Sequence, residues 1–430
     1  MAITIDEQPY SFAPRGQKLL FYASSDNYIQ PKFKYGVYIS LASTSQTFQF
    51  FVAPDVNGYL VFDLSSVVKL FNEDTQPNWH ATEFTTLQNE AAGKGYEVYT
   101  VTIQEWFLVA GVFTHNTVRD VTSEHVIFNG VLQPSYGYKP DTNSGTIPYG
   151  FRLADNTSRA MSDRFHDTHN WFYSSSFVIG GTPEAQRTFI PVLSTDYGLL
   201  SVPTSTSLTG NDIDRAEYII INSVGAPYGY TQLLSTPEIT HVGVYPMNIN
   251  NAPLVAATPA NTTNWRYYTI QFKSGSSVRS MRYVFYNAEL YGQSDCRHDN
   301  VRLGWVNSRG GWDYFNFIKK NEMTNTAERK QYRQVLYRPA PETFLATDRQ
   351  LTDRETIIRR TLQITSDWIQ ENEFVFLRGL FSSNQVQIIQ EDGTQVPVSL
   401  SDTSFAEKKT RDGKLYNVTL NVTNSQDYWT

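Results

Sequence analysis

A chain of 430 residues is too long for one compact core, so two or three domains are expected. Hydrophobic residues make up 40% and aromatic residues 14%, against only 18% charged residues; this excludes a disordered chain and favours sheet-rich structure with polar, weakly charged faces. A formal net charge of −7 argues against a protein whose main task is to hold nucleic acid phosphates.

The first predicted elements are strands. Phe33-Lys-Tyr-Gly-Val-Tyr-Ile-Ser-Leu41, Thr47-Phe-Gln-Phe-Phe-Val52 and Pro54-Asp-Val-Asn-Gly-Tyr-Leu-Val-Phe62 alternate apolar and polar residues, and Pro and Asn-Gly punctuate them as turns do. A short helix is predicted over 63–71, because Leu64, Val67, Val68 and Phe71 fall at i, i+3, i+4 and i+7 behind Asp63 as a capping residue. Strands over 97–103 and 105–113 then close a first β-sandwich, which sets a boundary near residue 118.

The middle, 119–285, alternates Ser/Thr/Asn/Gly/Pro stretches with isolated strands over 216–222, 241–245 and 265–272. The stretch from Gln133 to Ser162 has few large aliphatic residues and reads as an extended arm or surface loop.

The last part, 286–430, holds the most telling segment of the chain, Arg302-Leu-Gly-Trp-Val-Asn-Ser-Arg-Gly-Gly-Trp-Asp-Tyr-Phe-Asn-Phe317. Two alternating runs flank Asn307-Ser-Arg-Gly-Gly311, so it reads as a β-hairpin whose glycines supply the positive φ of the turn, with Leu303, Trp305, Tyr314 and Phe317 fixing a core. A charged stretch, Glu328–Gln334, follows. Thr361–Thr365 reads as a strand. Asp367 is expected to cap a helix with Gln370 at its third position and Phe376, Leu377, Leu380 and Phe381 along one face. Strands over 386–389 and 397–400 flank an Asp392-Gly393 turn, and Leu415–Val422 reads as a period-two strand after Asp412-Gly413. The fold class is therefore all-β, in antiparallel sandwich or barrel domains with a few short helices.

Chemistry is sparse. The single cysteine, Cys296, allows no intramolecular disulfide and no thiolate metal cage. Asp163-Arg-Phe-His-Asp-Thr-His-Asn-Trp171 sets His166 and His169 beside two acids, and these would bind a metal only if their lone pairs converged; a polar loop or an intersubunit contact is the plainer reading. Cys296 and His298 stand close in sequence, but this does not make them a nucleophile and its base, and an inert thiol is expected. No phosphate-binding glycine loop, serine elbow or His-Glu-x-x-His helix is present, so no catalytic residue, metal or cofactor is assigned. Arg359-Arg360 and Lys408, Lys409 and Arg411 read as solvated faces or rim contacts. The opening residues lack a basic region followed by an apolar run, and no stretch of about 18 apolar residues occurs, so a chain folded in a cytosol without membrane insertion is expected.

Three runs carry a resemblance: Asn57-Gly-Tyr-Leu-Val-Phe-Asp-Leu-Ser-Ser-Val-Val68, the hairpin from Leu303 to Phe317, and Leu377-Arg-Gly-Leu-Phe-Ser-Ser383 with the Val-Gln-Ile run ending at residue 388. Together they resemble virion structural proteins of tailed bacteriophages, over the two terminal parts of the chain. The resemblance implies a non-enzymatic tail or tail-tip component, assembled in the host cytoplasm and acting in the virion. Its expected partners are other tail proteins and further copies of itself in a ring or bundle. Two alternatives stay open: a protein binding host-surface receptor or glycan, with the middle part as the binding module, and a polysaccharide-degrading enzyme, which would need two carboxylates across a groove.

Overall fold

The computed structural model describes residues 3–68, 88–89, 96–131, 187–203, 213–222, 227–234, 239–250, 265–278, 280, 282–291, 298–333, 351–401, 415–425 and 428–429. The fold is all-β, built from several mainly antiparallel sheets with three short α-helices among the described residues.

The N-terminal part comprises β1 (Thr4–Glu7), β2 (Phe12–Pro14), β3 (Leu20–Ser24), β4 (Lys34–Leu41), β5 (Thr47–Val52), β6 (Leu60–Asp63), α1 (Ser65–Val68), β7 (Gln88–Asn89), β8 (Tyr96–Val109), β9 (Val112–His115) and β10 (Val121–Phe128). One sheet has the order β1-β3-β6, and the other β2-β10-β8-β4-β5 with β9 on β8. Their inward faces share one apolar cluster, in which Tyr35, Val37 and Ile39 of β4 and Tyr99, Val101 and Ile103 of β8 meet Phe21 and Leu60. That packing includes Val126, Ile127 and Phe128, so the first cluster continues past residue 118. Asp63 caps α1 as expected, its Oδ1 accepting from the Ser65 amide at 2.9 Å.

One expectation is corrected here. The strands over 97–103 and 105–113 are a single strand, β8, which runs to Val109 and turns at Ala110-Gly111, both at positive φ, into β9. Glu105 hides this continuity. It is a carboxylate at an inward position, buried because Ser25 Oγ, Asn27 Nδ2 and Asn116 Nδ2 all donate to it.

The middle part holds β11 (Arg187–Val192), β12 (Leu199–Pro203), β13 (Arg215–Asn222), β14 (Pro227–Leu233), β15 (Ile239–Gly243), α2 (Pro246–Asn250), β16 (Trp265–Ser274), β17 (Ser277–Val278) and β18 (Arg282–Asn287). The sheet β11-β18-β16-β13-β14, with β17 on β16, packs Tyr218, Ile220, Ile270 and Phe285 into a cluster with Leu200, Val202 and Val242 of the sheet β12-β15-β7.

The C-terminal part comprises β19 (Val301–Val306), β20 (Trp312–Phe317), β21 (Glu322–Arg333), β22 (Leu351–Thr365), β23 (Ile369–Gln370), α3 (Glu371–Ser382), β24 (Val386–Ile389), β25 (Gln395–Leu400), β26 (Leu415–Tyr416), β27 (Thr419–Asn424) and β28 (Tyr428–Trp429). Its main sheet has the order β20-β19-β24-β25-β27-β22-β21, with β28 on β22. Phe376, Leu377 and Leu380 of α3 cover one face of this sheet, against Leu303, Trp305 and Phe317. Each such large apolar side chain removed from water contributes about 1.5–3 kcal/mol.

The hairpin β19–β20 forms as expected, but its residues serve more than one core. Trp312 and Tyr314, on the opposite face from Trp305, belong to the middle cluster. Its tip reaches the N-terminal part as well: Arg309 is 1% exposed, and the Val131 amide donates to Ser308 O at 2.5 Å. Gly310 alone of the glycine pair takes a positive φ, 80°, and a Cβ there would stand 2.2 Å from Asn129 O, so both the backbone angle and the close approach require glycine.

Two C-terminal expectations are also corrected. Asp367 does not cap the helix: its Oδ1 accepts from the amide of Trp368, and α3 starts at Glu371, after Gln370 has paired as part of β23. The cause is tertiary. Ser366 exchanges hydrogen bonds with Val418 and accepts at its carbonyl from Asn417, holding the following residues extended along 415–418. The same contacts split the Leu415–Val422 strand into β26 and β27, which pair with different partners.

Candidate functional site

The charged stretch that follows the hairpin forms an arm. β21 pairs with β22 along its whole length, from Glu322 opposite Gln363 to Arg333 opposite Leu351, with an irregularity at Lys330 and Gln331. The inner end of β22 is held by β27 and, at Ile357 and Ile358, by β28, whereas Leu351 to Thr356 pair with β21 alone. All 12 residues of β21 are exposed, including Met323 at 61% and Tyr332 at 46%. At roughly 3.3 Å per residue the strand is about 40 Å long.

A two-stranded ribbon with little apolar burial gains little to offset the entropy of ordering it. Its own ion pairs do not close that gap. Lys330 lies 2.8 Å from Glu355 and Arg359 4.0 Å from Glu328, both at the surface, where solvent screening and the entropy of holding two long side chains leave such pairs little net stabilisation. The Glu355 carboxylate holds the Lys330 ammonium above its ordinary range through their hydrogen bond. The arm is also basic on an acidic chain: Arg329, Lys330, Arg333, Arg354, Arg359 and Arg360 outnumber Glu322, Glu328, Asp353 and Glu355, while the whole chain carries −7. Among the described residues, no strand pairs with the outer edge of β21.

A second surface feature lies on the solvent face of the N-terminal sheet. Trp106 of β8 stacks on His115 at 4.8 Å and on Phe113 at 5.5 Å, and Phe51 of β5 meets it edge-on at 5.3 Å. The indole crosses β4 at Gly36, where a Cβ would come within 2.7 Å of its Nε1. His115 is oriented by Asp120, 2.8 Å away. Phe51 and Phe113 remain exposed, so this group is an outward aromatic patch where core packing was expected of strand aromatics.

Several interior polar groups hold the fold together. Arg302 of β19 is buried between the Tyr245 and Tyr314 rings, 4.4 Å and 5.0 Å from their centroids, and its Nη1 is 3.1 Å from Asp196. Its Nε donates to Tyr197 O, and Asn316 Nδ2 donates to Asp196, which ties the middle part to the C-terminal sheet. Burial pushes the Asp196 carboxyl up against the opposing pull of Arg302. Ser201 and His241 form a buried hydrogen-bonded pair across β12 and β15, and Glu97 accepts from both the amide and the hydroxyl of Ser43.

The residues named from sequence are distributed differently. Asp163, His166, Asp167, His169 and Cys296 lie outside the described residues, as do Gln133 to Ser162, Lys408, Lys409 and Arg411. His298 is exposed, and Arg359 and Arg360 are exposed on the arm. Sequence reasoning missed Glu105, Asp196 and Arg302, and the only signal for Arg302 is a cation alternating with Leu303 and Trp305. Among the described residues no group of three or more His, Cys, Asp or Glu side chains converges as a metal site, and no helix is long and apolar enough to cross a membrane. No protein-family model matches the chain, and no curated protein matches it.

Proposed function

We propose that this chain is a non-enzymatic structural component of a tailed-bacteriophage virion, a tail or tail-tip protein that assembles with other virion proteins through its β-ribbon arm. One observation carries the reading. A 12-residue strand exposed along its whole length offers a backbone edge and side chains that a partner can cover. The motif resemblance of the two terminal parts supplies the class of particle. Native mass spectrometry of the full chain, alone and mixed with the other proteins of its particle, tests the proposal. A closed ring or a stable complex with a tail protein is expected; a persistent monomer that ignores those proteins refutes it.

A second reading has its own support. The patch of Phe51, Trp106 and Phe113 offers apolar ring surface beside polar side chains, as a host-surface glycan requires, and it lies on the N-terminal sheet and not in the middle part. Glycan-array binding that Phe51→Ala and Phe113→Ala abolish supports this reading, and an array on which the wild type binds nothing removes it.

A further inference from the structure

The open edge of β21 has a counterpart in the same chain. Arg329 and Lys330 are adjacent cations on that edge strand. Two copies of β21 laid antiparallel bring Arg329 and Lys330 together when the symmetry axis falls between them, and only registers centred nearer Glu328 oppose unlike charges, so charge favours self-pairing in few registers. An acidic edge strand is the complementary surface. Among the described strands at sheet edges, β1 meets the requirement: it carries Asp6 and Glu7 side by side, both exposed, and pairs only with β3. Its β-bulge between Ile5 and Glu7 limits any regular ladder, so charge contributes more to the contact than backbone pairing does.

We infer that the arm's partner is a second copy of this chain: β21 of one copy lies along the edge of β1 of the next, with Arg329 and Lys330 against Asp6 and Glu7. The contact joins two different surfaces, so it is head-to-tail and propagates into a ring or a filament. Lys330 then stands between Glu355 of its own arm and the acids of the neighbour. This inference rests on the assembly reading and adds the partner and the contact.

The test is self-association of the full chain, followed by sedimentation velocity and native mass spectrometry at low and high salt. The wild type is expected to associate at low salt and to weaken at least tenfold at about 0.5 M salt, where the screening length is roughly 4 Å. Two exposed-surface variants follow: Arg329→Glu with Lys330→Glu, and Asp6→Lys with Glu7→Lys. Each is expected to be monomeric alone, because its arm and its edge carry the same sign, and the two mixed in equal amounts are expected to associate, because each supplies the charge the other lacks. Near-unchanged circular dichroism of each variant shows that it is folded. A wild type that stays monomeric, an association that ignores the charge reversals, or a mixture that fails to recover it overturns the inference. Binding to other tail proteins in the mixing experiment above is a separate readout, so this contact can fail while the assembly reading stands.

Discussion

Replacing Gly310 with alanine tests whether the hairpin tip locks the N-terminal and C-terminal parts together. Two costs arise at this position. The first is backbone strain, since φ is 80° and a side chain there costs about 1–2 kcal/mol. The second comes from the neighbour: the new Cβ would sit 2.2 Å from Asn129 O, a backbone atom that cannot rotate away. Relief requires the tip to back off, which overpacks or opens the contact and breaks the bond from the Val131 amide to Ser308 O. Overpacking and the lost hydrogen bond together amount to about 2–4 kcal/mol beyond the strain. Gly111 provides the matched control, because its φ is 87° and a Cβ there meets nothing within 4 Å. Gly111→Ala therefore measures the strain alone. Hydrogen exchange of peptides covering 126–131 and 307–311 is the assay, and there Gly310→Ala should speed exchange roughly 30-fold to 1,000-fold, with Gly111→Ala leaving these peptides unchanged. Equal behaviour of the two variants at these peptides would refute the lock.

The remaining predictions concern the interior and the arm. Arg302→Met leaves Asp196 buried without its cation and should destabilise the protein by about 3–5 kcal/mol in urea titrations, with Asp196→Asn added to it recovering part of the loss; full additivity of the two substitutions would show that the pair is not coupled. His125, buried among Phe21, Tyr99 and the Tyr10 carbonyl, has its pKa lowered to about 4 by desolvation. A depressed histidine contributes stability above its unfolded pKa of about 6.5, and that contribution is lost as pH falls toward 4. Urea midpoints should therefore fall more steeply between pH 6.5 and 4 for the wild type than for His125→Gln, by about 3 kcal/mol in total; parallel profiles would contradict this. Arg359→Ala on the arm should change stability by less than about 0.5 kcal/mol, since its pair with Glu328 is exposed and 4.0 Å long; a thermal shift matching a loss of several kcal/mol would mean that the arm packs on the body.

The chain's alternation was enough to mark many of its strands, because side chains alternate across a strand whatever it pairs with. The hairpin around Asn307 illustrates this: its turn is a local device, in which the Asn307 Oδ1 accepts from the amides of Arg309 and Gly311 and the Nδ2 donates to Asp313. Helix α3 was legible through Phe376, Leu377 and Leu380, whose spacing places them on one face. Its start was not, because hydrogen bonds from residues 417 and 418 hold the chain extended beyond the expected cap.

By itself, then, the amino-acid order determined the all-β class, the turns at Asn307 and Asp392-Gly393 and the apolar face of α3, which all rest on neighbours in the chain. Tertiary structure alone decided which faces are covered. Arg302 alternates with Leu303 as a solvent-facing residue would, yet it is buried by a partner segment 105 residues away, where Tyr197 O accepts from its Nε. Glu105 is inward for the same reason, its partners Ser25 and Asn27 being 80 and 78 residues distant. The arm is the converse. Its residues were visible as a charged stretch, but whether another layer covers a ribbon depends on where the rest of the chain lies, and for β21 all 12 residues remain open.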